Sequence, residues 1–273
     1  STCQLIFEDS PIPRENVLGE IGKGHYVAFN TLNLGRYKLG ASVVGGAKRV
    51  LQECLAYASD RRQFKQRIVD FGAIREQIAD CVVRVYLSEA LNYRIAGAID
   101  ARLEGKDSSD PQVIMAAVEE YIIEASISKV YSSESLDRII DMGLQWHGGY
   151  GFVEDYCIEK FYRDARVNRI FEGTNEINRL LIPGTLLKRV IQGRIDLLGG
   201  VAELESMLAT GELPQMPADE GLARPAFALQ RLKWLALLVL QAATGKYGVS
   251  LRQEQEILVG LANMIMQCFA VDS

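Results

Sequence analysis

The 273-residue chain is 48% apolar and 24% charged, which fits a globular protein with room for one large domain or two modest ones. Its formal net charge of -5 excludes nucleic acid as the main partner, because gripping a phosphate backbone needs clustered positive charge. No apolar run approaches the length needed to cross a bilayer, and the first residues lack the charged-then-apolar pattern of a secretory signal.

Residues Cys3 to Glu8 read as a short strand, broken by Pro11 and Pro13, which remove donors and fix φ. A lone strand has no partner of its own, so it must pair with a sheet outside this chain or fray; the expectation is that the sequence is a fragment. From His25 to Ala58 apolar residues recur at three- and four-residue steps (Phe29, Leu32, Leu39, Val43, Ala47, Val50, Leu51, Cys54, Leu55), which predicts a long helix. Arg61 to Arg67 is a polar, basic break, and a second helix is predicted from Gly72 to Leu103. Ser108-Ser109-Asp110-Pro111 offers a capping side chain with proline at the first helical position, opening a helix to about Met142.

Gln145 to Phe152 reads as a glycine-rich loop and Asp155 to Asn168 as a short helix. Thr174 is placed to cap a helix from Asn175 to about Val190, with Pro183 a candidate kink or break. Beyond Gly193 glycines and prolines punctuate three shorter helices. The middle one, Arg224 to Ala243, is rich in Leu and Ala and reads as a packed core helix more readily than as a membrane-surface helix. Cys3, Cys54, Cys81, Cys157 and Cys268 lie far apart, and only two histidines accompany them. Reduced thiols, no metal and no disulfide are therefore expected.

The fold class so read is all-α: a β remnant and linker over 1–22, an up-down helical bundle over 23–190, and a smaller appended helical region over 191–273. Three segments carry more than packing. Arg61-Arg62-Gln63-Phe64 sets guanidinium groups and an amide at a helix end, suited to a diphosphate or simply to the helix dipole. Gln145-Trp146-His147-Gly148-Gly149-Tyr150-Gly151-Phe152 lets backbone approach a ligand, or serves only as a turn between helices; no strand precedes it, so the phosphate-loop reading fails. His147 alone reads as a structural histidine. Arg169-Ile170-Phe171-Glu172-Gly173-Thr174 puts a carboxylate after an apolar pair, where desolvation favours the neutral acid and suits a general base, or where it is an ordinary acidic residue near a helix N-terminus.

In their order and separation these segments resemble the acyl-CoA dehydrogenase family over residues 1 to about 190. R-I-F-E-G-T-N-E-I and Q-W-H-G-G-Y-G-F are the specific parts, supported by R-x-Q-F and D-F-G-A-I-x-E-x-I-A. Residues beyond 190 are similar, more loosely, to the extra helical region of the very-long-chain branch. The resemblance implies that Glu172 is the base removing the α-proton of an acyl-CoA, with FAD taking the β-hydrogen as hydride and an electron-transfer flavoprotein receiving the electrons. It places Gly173 where the thioester approaches and Arg36 on the substrate side.

The same resemblance assigns Thr174 and Glu176 to flavin contacts, where many members have glutamine in place of Glu176. Arg61, Gln63 and Phe64 match residues that grip the flavin diphosphate of a neighbouring subunit, and Phe71 with Gln145, Trp146, His147, Gly148 and Gly149 match further flavin contacts. A homodimer or homotetramer follows, located in a bacterial cytoplasm or a mitochondrial matrix, with membrane association left open. Lys65 stands where the family usually has glycine. The resemblance implies that nearly all of the two domains covering flavin and acyl chain are missing, so alone the chain is expected to bind flavin poorly or not at all and to be inactive. An acyl-CoA oxidase and a non-catalytic helical assembly module are the rival readings.

Overall fold

The computed structural model describes residues 3–107, 110–218 and 221–273; Ser108 and Ser109, expected to help cap a helix, lie outside the described residues. Residues 3–13 form no regular structure, and Leu5, Ile6 and Phe7 are exposed, which corrects the expectation of a strand at Cys3–Glu8. An extended segment holds its shape only when neighbouring strands satisfy its backbone, and no described residues pair with it.

Helix α1 (Gly24–Asp60) and helix α2 (Gly72–Leu103) have the lengths that the apolar periodicity predicts. The basic stretch between them folds into a hairpin, β1 (Arg62–Gln63) against β2 (Gln66–Arg67), with Arg62 opposite Arg67 and Gln63 opposite Gln66. Its two turn residues, Phe64 and Lys65, have φ of 49° and 68°. Such tight hairpin turns match the twist of the strands but ask both central residues to be left-handed.

Asp110 caps helix α3 (Pro111–Glu120) by accepting from the Gln112 N–H at 2.8 Å. The helix expected to continue to Met142 stops at Tyr121, whose N–H turns back to the Val118 carbonyl, and helix α4 (Ile122–His147) begins anew. No glycine or proline marks this step, so nothing in the residue pattern announced it. Helix α4 runs on past Met142 to His147, and Gly148–Phe152, read as loop, continues as a 3-10 turn. Helix α5 (Ile158–Ala165) and the 3-10 turn Arg166–Arg169 lead to helix α6 (Asn175–Ile191), which Thr174 caps and which passes through Pro183 unbroken. Helices α7 (Leu197–Thr210), α8 (Ala223–Tyr247) and α9 (Gln255–Asp272) complete the chain.

Helix α4 is the central element. Its Leu136, Ile139 and Ile140 pack on Leu39, Val43, Ala47 and Cys54 of α1, with Cys81 of α2 and Ile158 of α5 closing the cluster. Burying each large aliphatic side chain here contributes about 1.5–3 kcal/mol. The two central helices approach closely because small residues meet. A β-carbon at Gly40 of α1 would run into the Ser128 hydroxyl, and one at Gly143 of α4 would overlap the Cys54 sulfur.

Helix α9 enters the same core: Ala262 and Met266 pack with Ile127 and Val130 of α4 and Ile182 of α6. Ala270 sits with Leu91 and Ile95 of α2. Helix α8 turns Leu240 and Ala243 onto Leu258 and Leu261 of α9, whereas Leu232 and Leu235 face outward. Against the expectation that no apolar run approaches membrane-spanning length, Ala223–Gln253 is long and apolar enough by length and composition alone, though its inward face is occupied by this packing.

Candidate functional site

The segment between α5 and α6 is a tight turn in which Glu172 and Gly173 both have positive φ, 59° and 81°. Glycine adopts this conformation freely, but a glutamate held there needs surroundings that over-determine it. The surroundings are visible. The Glu172 carbonyl accepts from Arg36 Nε at 3.0 Å and from Asn178 Nδ2 at 3.4 Å. The Gly173 carbonyl accepts from Lys129 Nζ and from Asn178 Nδ2, each at 2.8 Å. Arg36 is steadied in turn by Asn33 Oδ1, one helical turn away on α1.

The Glu172 side chain folds back onto α1. A β-carbon at Gly35 would stand 2.6 Å from the carboxyl carbon and 2.8 Å from Oε1, so only glycine leaves room for the carboxylate. Oε2 is buried without a hydrogen-bond partner. An orphaned buried oxygen on a half-buried carboxylate costs free energy unless something else meets it, and such groups concentrate at functional sites. Ile170 and Phe171, expected to enclose the carboxylate, are instead largely exposed. Helix α1 lies against it instead, and two cations hold the backbone carbonyls of the turn.

Those cations are Arg36 and Lys129, both buried. Burial pushes the Arg36 guanidinium below its ordinary value, with the charge on Glu172 acting against that push. Burial lowers the Lys129 ammonium to about 8; Glu176, Glu134 and Glu172 favour its charged form, and Arg36 opposes it. Its other hydrogen bond goes to Asn175 Oδ1 at 2.6 Å. Asn175 then donates to Glu134, which Arg179 holds through two bonds of 2.7 Å. Arg179 also reaches Asn263 of α9 at 2.8 Å.

A second locus lies at the other end of α1, in an open cleft lined by Tyr57, Arg61, Gln63, Trp146, His147, Gly148, Gly149 and Tyr150. Tyr57 stacks on His147 with centroids 3.9 Å apart, and Tyr57 donates its hydroxyl proton to the His147 carbonyl. The His147 ring meets the Gly143 carbonyl through Nδ1 at 2.7 Å, which satisfies that nitrogen within α4. Arg61 lies over the Tyr150 ring at 4.9 Å. Gly148 has φ of 59°, and a β-carbon at Gly148 or Gly149 would meet only open space. Backbone is thus bared to the cleft beside a guanidinium, a donor set that suits an anionic or diphosphate group.

Gly35 and Tyr57 are 22 residues apart on one continuous helix, about 33 Å at 1.5 Å per residue. The carboxylate turn and the arginine cleft are therefore two separate loci on one chain.

Residues 22–187 match the family described as acyl-CoA dehydrogenase, C-terminal domain, and residues 231–273 match a second family of the same description. The chain belongs to the acyl-CoA dehydrogenase family. It is 42% identical, over its whole length, to a probable acyl-CoA dehydrogenase of Bacillus subtilis, 46% of which it covers. It is 30% identical over 99% of its length to the very long-chain specific mitochondrial acyl-CoA dehydrogenase of Rattus norvegicus, covering 42% of that protein. A crystal structure of the Bacillus anthracis acyl-CoA dehydrogenase complexed with FAD superposes with a TM-score of 0.94 at 45% identity, over 97% of this chain and 46% of that one. The chain spans about half the length of the relatives it matches.

The residues singled out in the sequence fall into two groups. Arg61, Gln63, Trp146, His147, Gly148 and Gly149 come together in the cleft, with the Trp146 ring buried and donating to Gln77 Oε1 at 2.7 Å. Phe64, at the exposed hairpin tip, meets Phe71 edge-on at 6.4 Å. Gln145 is exposed outside the cleft lining. Arg36, Glu172 and Gly173 gather at the turn. Thr174 accepts from the Ile177 N–H at 3.3 Å, and a hydrogen bond from its own backbone holds the exposed Glu176 carboxyl below the usual range.

Four residues of this turn were not singled out in the sequence: Gly35, Lys129, Asn175 and Asn178. Lys129 carried a signal, since it occupies a core position between Ile127 and Val130. A lysine in a buried stripe asks for a partner. Gly35 and Asn175 are ordinary residues whose importance lies in contacts with distant segments, and Asn178 braces the turn from four to six residues away.

Proposed function

We propose that this chain is the C-terminal half of an enzyme that converts a fatty acyl-CoA to its trans-2-enoyl-CoA, with Glu172 taking the α-proton. The observation that carries this reading is the Glu172 carboxylate itself. It is held by a strained, over-determined turn against the bare α-carbon of Gly35, with one oxygen buried and unpartnered. A base must present such an oxygen to the proton it removes.

Bound FAD would accept the β-hydrogen as hydride. The protein's own part is to hold and shift charge. As the α-proton transfers to Glu172, negative charge moves from the carboxylate toward the thioester oxygen, and the Glu172 backbone N–H is the donor this reading assigns to that oxygen. Gly173 carries no side chain to obstruct the thioester. Arg36, buried against the Glu172 carbonyl, fixes the turn from the substrate side. The Arg61 cleft fits a flavin diphosphate, and a span of about 33 Å from the Glu172 turn is far longer than a flavin ring stands from its own diphosphate. That spacing supports a cleft that serves the flavin of a neighbouring copy, hence a homo-oligomer.

The proposed electron acceptor is an electron-transfer flavoprotein. Reduction of the enzyme-bound flavin by acyl-CoAs of graded chain length tests the reaction. Reoxidation by an electron-transfer flavoprotein in anaerobic buffer supports the dehydrogenase, whereas rapid oxygen consumption without it identifies an oxidase.

A further inference from the structure

We infer that Lys129 is a positioning residue for the Glu172 base, holding the turn through the Gly173 carbonyl and adding a buried cation whose charge acts on Glu172. The inference rests on Glu172 being the base and adds what holds it in a reactive state. Lys129 is fully buried in the middle of α4, where an uncompensated charge would be costly. Its ammonium spends two hydrogen bonds on the turn and its flank, the Gly173 carbonyl at 2.8 Å and Asn175 Oδ1 at 2.6 Å. One bond reaches the turn and the other the first residue of α6, so both are spent on the segment that follows Glu172.

The charged groups that act on Lys129 come from four segments: Glu176 of α6, Arg36 of α1, Glu134 of α4 and Glu172 of the turn. Glu134 is committed elsewhere, paired to Arg179 through two bonds and accepting from Asn175. Glu172 has one carboxylate oxygen with no partner at all. The Lys129 ammonium and the Glu172 carboxylate attract each other, so removing the cation takes a stabilising partner from that negative charge. Asn175 and Arg179 extend the arrangement to Asn263, so α9 braces the same network.

The test uses the complete flavin-loaded enzyme with Lys129→Met, Lys129→Gln and Lys129→Arg, and Glu172→Gln in parallel. With flavin content and thermal unfolding matched to wild type, Lys129→Met is expected to lower kcat by about 10- to 100-fold at pH 7. Its acidic limb of the kcat–pH profile should move to higher pH by about half a unit or more, since the carboxylate has lost a cation. Lys129→Gln keeps a donor for the Gly173 carbonyl and fills most of the volume. It serves if the methionine variant fails to fold, and should recover part of kcat while keeping the shifted limb. Lys129→Arg should restore the limb. A kcat that falls only with the folded, flavin-loaded fraction, with the limb unmoved in the folded neutral variant, overturns the inference, as does failure of both neutral variants to fold while Lys129→Arg folds with wild-type stability, since the lysine is then structural. If Glu172→Gln keeps full turnover, the base assignment fails first, and that outcome is separable from the others.

Discussion

The Glu172 carboxylate rests against the α-carbon of Gly35, close enough that a β-carbon there would lie 2.6 Å from the carboxyl carbon. One helix position thus decides where a side chain 137 residues later in the chain can sit.

Gly35→Ala is expected to separate stability from activity. The obstructed group is the far end of a flexible glutamate, which swings aside cheaply, and alanine favours a helix over glycine by about 0.5–1 kcal/mol. The variant should unfold at the same or slightly higher denaturant concentration, yet lose turnover by about 100-fold or more because the base is displaced. Wild-type turnover would show that the carboxylate does not work from this position.

Gly40→Ala, five residues along the same helix, should behave oppositely. Its β-carbon would meet not only the Ser128 hydroxyl but also the Ser128 backbone carbonyl carbon at 3.0 Å, which cannot step aside without moving α4. Overpacking of this kind costs about 1–3 kcal/mol. A urea midpoint equal to wild type would contradict the close α1–α4 crossing.

Lys65→Gly tests the hairpin. Lys65 holds φ of 68° with its side chain exposed at a turn, and relieving left-handed strain at one residue is worth about 1 kcal/mol, less the added freedom of glycine when unfolded. A small gain in stability is expected, read by thermal unfolding, and a loss would show that Lys65 makes a favourable contact.

How much of this was readable beforehand depends on whether the information is local. The α2 boundaries and the Asp110 and Thr174 caps come from short-range chemistry, and the residue pattern shows them. The break at Tyr121 was hidden because apolar periodicity runs through it. The strand at Cys3–Glu8 has the right composition without neighbours to complete it, and composition does not supply hydrogen-bond partners. At the site, Glu172 stood out only through its motif. The features that explain its state, Gly35 beneath it and Lys129 beside it, lie 137 and 43 residues away in sequence and become neighbours only when α1 and α4 pack.

Burial of Lys129 has a consequence for stability against pH. Its folded-state value, about 8, lies below the ordinary lysine value of 10.5. Between these pH values the unfolded chain binds more protons than the folded one, so this group makes stability rise as pH rises through that window. The urea midpoint of wild type relative to Lys129→Met should therefore increase from pH 7.5 to pH 9.5. A difference that stays constant would mean that the lysine is not desolvated in the folded chain.

Glu172→Gln in the complete enzyme, measured as the rate of flavin reduction by saturating acyl-CoA, tests the role of Glu172 most directly. Glutamine matches the shape, keeps the turn and spares flavin binding, but accepts no proton. Reduction should slow by about 10²–10⁴-fold, the usual worth of a positioned general base, with the flavin spectrum and unfolding midpoint unchanged. Reduction at the wild-type rate would contradict the assignment of Glu172 as the base.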